Sequence, residues 1–314
     1  MTDLQKKFLA ELKEFPQSVR DILQTIPLQA GRLSAQQCDD LIKNLGINLE
    51  ELLVRLLPLA TLYAVAPVSQ FRVGAVAMAG EKAARDHAGQ FDLFLGANME
   101  FVHQPLNQTI HAEQSATLHA WHRGAQYLHM VATSKAPCGY CRQFLYEFEK
   151  NAEMILITPD RKKLTYRKTL LSDLLPEAFG PLDLGNRSGL MSPTPPDRKL
   201  RLKSAIKDRT IDKALSAAEK SYAPYTQNFA GCALETQTGE IYSGRYVESA
   251  AYNPSLTALH SAILCLNMAT LEEKRPIQRV VLVEKHTAVR QRKVVELLLE
   301  SWAPEIELEY FEIK

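Results

Sequence analysis

The chain has 314 residues, 46% of them hydrophobic and 23% charged, which is enough for two domains of common size and too apolar for a disordered or collagen-like protein. Lys and Arg number 37 against 36 Asp and Glu, so no global field draws DNA, RNA or an acidic membrane, and a small neutral partner is expected. No apolar run reaches the roughly 18 residues of a membrane span, and the charged amphipathic start over residues 1–7 differs from a secretory signal, which makes the cytoplasm the expected compartment.

From Asp3 to about Leu57, apolar residues recur at helical spacing, as in Phe8, Leu9 and Leu12 or Leu41, Ile42 and Leu45, and predict a helical N-terminal segment over 1–56. The pattern then changes. Short apolar runs over 71–78 and 91–95, separated by a polar stretch with Gly80 and Gly89, predict a β-hairpin. A helix is expected from about Ile110 to His122, a strand from Leu128 to Thr133, and a second helix after Pro137 through Phe144, Leu145 and Phe148. Strands alternating with helices indicate an α/β layer structure. Three prolines within 192–197 mark the clearest break, so the expected units are a domain over 57–181, a linker over 182–197 and a second domain over 198–314. Past the break, Ala223-Pro224 followed by Gly231 repeats the spacing of Ala66-Pro67 followed by Gly74. Gly244-Arg245-Tyr246-Val247-Glu248 echoes Gly96-Ala97-Asn98-Met99-Glu100, and His260-Ser261-Ala262 echoes Gln114-Ser115-Ala116. The period is too long for a solenoid, so a whole domain is duplicated.

The residues that carry chemistry are His111-Ala112-Glu113 and Pro137-Cys138-Gly139-Tyr140-Cys141. Alone, a Cys-x-x-Cys pair is open to three readings, a redox pair, a structural zinc clip or chance, and a His on a helix is commonly packed or solvated. The five cysteines are odd in number and sparse, unlike a disulfide framework, and Cys38, Cys232 and Cys265 have no paired spacing to complete a structural cluster. One His and two Cys make three ligands, the number a catalytic zinc takes while leaving its fourth position to water. Both thiols fall at the expected start of a helix after a proline, where the helix dipole and free N–H groups favour thiolate. Glu113, two residues past His111, is suited to proton transfer beside a metal-activated water. The combination of His-x-Glu with Pro-Cys-x-x-Cys, with that division of roles, is an established signature of zinc nucleobase deaminases.

At these residues the chain resembles the bacterial cytidine deaminases of the long, two-domain type. The similarity runs through Phe71-Arg72-Val73-Gly74-Ala75, Gly96-Ala97-Asn98-Met99-Glu100-Phe101, the stretches 109–116 and 137–144, and Leu175-Pro176-Glu177-Ala178-Phe179-Gly180-Pro181. It also covers Tyr252-Asn253-Pro254 in the second repeat. The resemblance implies duplicated three-layer α/β/α domains with a mixed sheet, and hydrolysis of cytidine and deoxycytidine to uridine and deoxyuridine in pyrimidine salvage. It implies one zinc per chain, held by His111, Cys138 and Cys141, with Glu113 as proton shuttle. It further implies that Asn98 and Glu100 hydrogen-bond the ribose, that Phe71 packs on the pyrimidine, and that the chain forms a homodimer. Unpaired sugar-binding groups would penalise a free base, and Glu100 near the sugar would repel a phosphate, which favours nucleoside over nucleotide.

Plainer readings stand beside these. Phe71 could equally be core packing on a strand, Asn98 a turn residue after Gly96, and Glu100 a solvated carboxylate. Phe179 reads as ordinary packing. Ser134-Lys135-Ala136 stands where relatives can carry an aromatic, which leaves the pocket rim open. The basic clusters Arg161-Lys162-Lys163 and 198–203 read as a turn and a solvated helix start, not a nucleic-acid site. His103, His119, His122, His129 and His260 lack paired metal spacing. In the second repeat Thr257 and Leu259 occupy the positions of His111 and Glu113, and no Cys-x-x-Cys follows, so no second metal is expected. The rival functions are a nucleotide or polynucleotide deaminase and a zinc-stabilised interaction module with four protein ligands.

Overall fold

The computed structural model of the chain describes residues 1–80, 91–148, 154–159, 165–192, 198–204, 206–271 and 276–314. Four helices open it: α1 (Asp3–Leu12), α2 (Gln17–Gln24), α3 (Ala35–Leu45) and α4 (Leu49–Thr61). Three of their starts are specified chemically. Thr2, Ser34 and Asn48 each accept a backbone N–H of the first turn, while Gln5, Gln37 and Glu51 reach back to the cap amide. The segment is not wholly helical, because β1 (Arg32–Leu33) pairs antiparallel with β3 (Phe91–Ala97) at a sheet edge, where Arg32 also bonds Asp92. Two residues are too few to show a strand period, so this strand left no pattern in the sequence.

With β2 (Gly74–Gly80), β4 (Tyr127–Thr133), β5 (Ile155–Pro159) and β6 (Tyr166–Leu170), these strands form a six-stranded sheet in the order β1-β3-β2-β4-β5-β6. Only β4 and β5 run parallel. The two-residue period of β2 sorts its side chains between layers. Val76 and Met78 join the core under α4, with Leu52, Leu53, Leu56 and Leu59, whereas Ala75, Ala77 and Ala79 face the core of α5 (Ala112–His122). α5 is buried on every side from Ala112 to Trp121. The short α6 (Gly139–Leu145) follows β4, and α7 (Leu171–Leu174) follows β6.

The second sheet contains β7 (Ala230–Thr236), β8 (Ile241–Arg245), β9 (Ile277–Lys285) and β10 (Leu308–Ile313), with helices α8 (Arg209–Glu219), α9 (Ala258–Met268) and α10 (Arg292–Trp302). Its order, β10-β9-β7-β8 with β9 and β10 parallel, reproduces the order and directions of β5, β4, β2 and β3. The duplication extends to detail. A register shift follows Met78 in β2 and Glu235 in β7, and Gln70 and Gln227 adopt left-handed φ angles of 58° and 56° before those strands. α8 covers the outer face of the second sheet, while α5 and α9 share the core between the two sheets. The mixed α/β layers are therefore α4, sheet, α5 with α9, sheet and α8. Among the described residues no helix is long and apolar enough to cross a membrane.

α5 and α9 lie hard against their strands. A Cβ at Gly96 would come within 2.1 Å of the Ala116 nitrogen, and one at Gly244 within 2.1 Å of the Ala262 nitrogen. The obstructing atoms are helix backbone, which no rotamer change can move. Gly96→Ala is expected to destabilise the chain by at least about 1–3 kcal/mol, read as a lowered midpoint of thermal or denaturant unfolding. An unchanged midpoint would mean that α5 has room to shift.

Two expectations need correction. β2 begins at Gly74, so Phe71 precedes the strand instead of packing within it; its ring is 53% exposed. α6 ends at Leu145, short of Phe148. The proline-rich break at 193–197, the hairpin connection with Gly89 and the cluster Arg161-Lys162-Lys163 lie outside the described residues.

Candidate metal centre

Two helix N-termini converge on one point. His111 is the residue before α5 and Cys138 the residue before α6, both in extended conformation, and Cys141 lies in the first turn of α6. Pro137 lies just before this helix start, and the Cys141 backbone N–H, unpaired within the helix, interacts with the Cys138 sulfur. His111 Nδ1 lies 3.6 Å from Cys138 Sγ and 3.3 Å from Cys141 Sγ, and the two sulfurs are 3.6 Å apart. Zn–S bonds of about 2.3 Å and Zn–N bonds of about 2.0–2.1 Å place tetrahedral ligand atoms about 3.5–3.8 Å from one another, so this donor set fits a zinc ion. It is the only group of three or more such donors among the described residues, and Glu113 is not part of it. Three ligands leave a tetrahedral ion one open position.

The electrostatics suit a cation. Contact with the Cys141 thiol and with His111 pulls the Cys138 thiol down to about 3. The Cys138 sulfur, burial and Glu113 push the Cys141 thiol up. Both sulfurs bind a metal as thiolates, so metal uptake is accompanied by release of the proton that the Cys141 thiol holds. Glu113 is 4% exposed, and its Oε2 accepts from the Cys141 thiol at 3.2 Å. Burial raises its pKa, which brings the carboxyl toward the range in which a group both gives and takes protons.

The other three candidates sit on one loop system. Asn98 is buried; its Oδ1 accepts from Val73 N at 2.8 Å and its Nδ2 donates to Phe71 O at 2.9 Å. Glu100 accepts from Val68 N, Ser69 N and Ser69 Oγ. Both residues therefore shape the 66–73 loop that presents Phe71; Asn98 follows β3 as a buried anchor of that loop, while Glu100 holds it from a partly exposed position. Lys135 Nζ stands 5.5 Å from the centre of the Phe71 ring, so the lysine that takes the rim position is beside the exposed aromatic. His119 and His260 are packed. Nδ1 of His119 bonds Leu95 O, Nε2 of His260 bonds Gln108 O, and burial lowers both to about 4.

Two residues near the metal donors were not singled out from the sequence. Gln114 Oε1 accepts from His111 N at 3.0 Å, and the Tyr140 ring stacks on the His111 imidazole with centroids 5.1 Å apart. The spacing of Gln114 three residues after a helix cap was a usable signal; the stacking had none.

Comparison with known proteins agrees with this centre. The family described as the cytidine and deoxycytidylate deaminase zinc-binding region matches residues 47–157 and again residues 171–296. A cytidine deaminase of Aliivibrio fischeri is 38% identical over 313 residues, covering 99% of each chain. One from Yersinia pestis is 42% identical over 291 residues, covering 91% of this chain and 92% of its own. One from Sodalis glossinidius is 40% identical over 277 residues, covering 82% of each. The chain belongs to the cytidine and deoxycytidylate deaminase family. Among the described residues, the first of its two deaminase regions brings zinc donors together and the second does not. In the second, Thr257 and Leu259 replace His111 and Glu113, and Gln291 stands before α10 where Cys138 stands before α6. The Gln291 side chain accepts from Ala258 N and donates to Asn228, while its backbone N–H donates to Glu284. An amide network fills the place of a metal cage.

Proposed function

We propose that this chain hydrolyses cytidine and deoxycytidine to uridine and deoxyuridine with release of ammonia, in pyrimidine salvage. The observation that carries this reading is the His111, Cys138 and Cys141 donor set with the buried Glu113 carboxyl against it, in a chain of this family. His111, Cys138 and Cys141 would hold the zinc. Zinc in such a setting lowers the pKa of a coordinated water to near neutrality and so supplies a nucleophile. Glu113 would carry both protons of the attacking water in turn, the first to the ring nitrogen and the second, given up as the C4 carbonyl forms, to the departing amine, so that cytidine and water become uridine and ammonia. Its burial excludes bulk water from competing as a proton carrier.

Phe71, exposed at the end of its loop, is proposed to pack on the pyrimidine, with Asn98 and Glu100 directed at the ribose in addition to holding that loop. The negative charge of Glu100 disfavours a 5′-phosphate. The assembly is proposed to be a cytoplasmic homodimer. A closed structural zinc clip is the weaker reading, because among the described residues no fourth donor joins the three. The test is a side-by-side assay of cytidine, its monophosphate, cytosine and single-stranded DNA, with zinc content measured and mass determined by light scattering. Loss of cytidine absorbance at about one zinc per chain is expected. No turnover by the zinc-loaded protein would overturn the activity.

A further inference from the structure

The second repeat reaches the metal centre of the first. Its loop over 249–255 presents two main-chain carbonyls to the helix starts that carry the donors. Pro254 O accepts from Gln114 Nε2 at 3.1 Å, and Asn253 O accepts from the Tyr140 hydroxyl at 2.7 Å. Each donating side chain also contacts His111, Gln114 through the His111 backbone N–H and Tyr140 through the imidazole face. We propose that this loop of the metal-free repeat is a positioning element for His111, so that the second repeat sets how firmly the first holds its zinc.

A glutamine amide has an acceptor end and a donor end; with Nε2 fixed on Pro254 O, Oε1 is committed to His111 N. The Tyr140 hydroxyl anchored on Asn253 O keeps the ring parallel to the imidazole within 26°. His111 stands at the cap of α5, with its backbone N–H fixed by Gln114 and its imidazole face by Tyr140, so these two contacts, together with the thiols against Nδ1, set where Nδ1 points. Ligand orientation by such outer partners commonly governs 10–100-fold in metal affinity. The loop is itself held at its base. Ser249 N donates to Ser255 Oγ at 3.0 Å, Ala250 N donates to Glu147 of the first repeat at 2.8 Å, and Tyr252 adopts a left-handed φ of 61°. The contact is reciprocal. His260, the counterpart of Gln114, meets Gln108 O, the counterpart of Pro254 O, so the duplication preserved the exchange on both sides although only one side carries donors.

Three variants of the full chain test this. Tyr140→Phe keeps the ring and loses only the hydroxyl. Gln114→Glu keeps the acceptor for His111 N and loses the donor to Pro254; its added negative charge favours a cation, so weaker retention cannot be a charge effect. Ser255→Ala touches neither His111 nor its two partners and loosens the loop alone. Release of zinc from the loaded proteins to a chromogenic chelator should be about 10–100-fold faster for the first two variants and several-fold faster for Ser255→Ala. The absorption bands of the cobalt-substituted forms should shift, and melting of the zinc-free forms of Tyr140→Phe and Ser255→Ala should stay close to that of the unaltered protein. Release within twofold of the unaltered protein and an unchanged cobalt spectrum in Tyr140→Phe would overturn the proposal, even if Gln114→Glu fails to fold. The inference rests on the reading of this centre as a zinc site, but its readout is retention and spectrum. Failure of cytidine turnover in the unaltered protein is therefore a separate result.

Discussion

Glu113→Gln is expected to retain about one zinc per chain and to lose cytidine turnover by about 10²–10⁴-fold or more, since general acid–base groups contribute on that scale and this one serves successive proton transfers. The change is nearly isosteric, so the side chain can keep its place beside Cys141, whose sulfur lies 3.2 Å from Oε2. What is lost is the ability to take up and return a proton. The fall should appear in kcat more than in KM, because the group acts on the reacting atoms and not on the sugar. Metal analysis and steady-state kinetics on the same preparation decide the matter. Full activity would remove Glu113 from the mechanism, whereas loss of zinc together with activity would make it part of the metal cage.

How much of this was legible in the sequence depends on how local each signal is. His111 and Glu113 lie two residues apart at one helix start, and Cys138 and Cys141 three apart at another, so their chemistry was readable as motifs. The duplication was readable because Ala-Pro recurs seven residues before a strand glycine, Gly recurs four residues before Glu at Gly96 and Gly244, and Ser-Ala recurs in the helix that follows, all in the same order. Asn98 and Glu100 were recognisable as polar residues after Gly96, but their bonds run to backbone N–H groups of the 66–73 loop, which have no side-chain signature. The same reason hid the loop over 249–255. Its effective atoms are the carbonyls of Asn253 and Pro254, which any sequence supplies, and only the fold brings them to Gln114 and Tyr140. Phe71 was ambiguous between core and surface because an aromatic beside an apolar run fits both; the side-chain bonds of Asn98 to its loop decide it by ending the strand at Gly74.

Glu147 gave no sequence signal at all, yet its removal is expected to have the largest effect on stability. It is fully buried on the first repeat and accepts from three donors of the second, the Tyr222 and Tyr225 hydroxyls and Ala250 N. Burial raises its pKa while the two hydroxyls and the amide favour the ionised form. Glu147→Ala leaves Ala250 N and the partly buried Tyr225 hydroxyl without this acceptor and the Tyr222 hydroxyl with only its longer bond to Ser188 O at 3.4 Å. At roughly 1–3 kcal/mol for each buried unsatisfied group, partly offset by water entering the gap, a loss of about 3–5 kcal/mol is expected. That corresponds to a melting temperature lower by on the order of 5–10 °C in a chain of this size. The cause can be separated from simple loss of volume. Removing both sides of a buried polar cluster costs less than removing one, so Glu147→Leu combined with Tyr222→Phe and Tyr225→Phe should recover part of the loss. If the triple variant is less stable than Glu147→Ala by the sum of the single changes, the three groups act independently and the cluster is not a joint between the repeats. If it recovers, the carboxylate that fastens Ala250 also fastens the loop leading to Asn253 and Pro254, and Glu147→Ala should release zinc faster than the unaltered protein at temperatures where both remain folded.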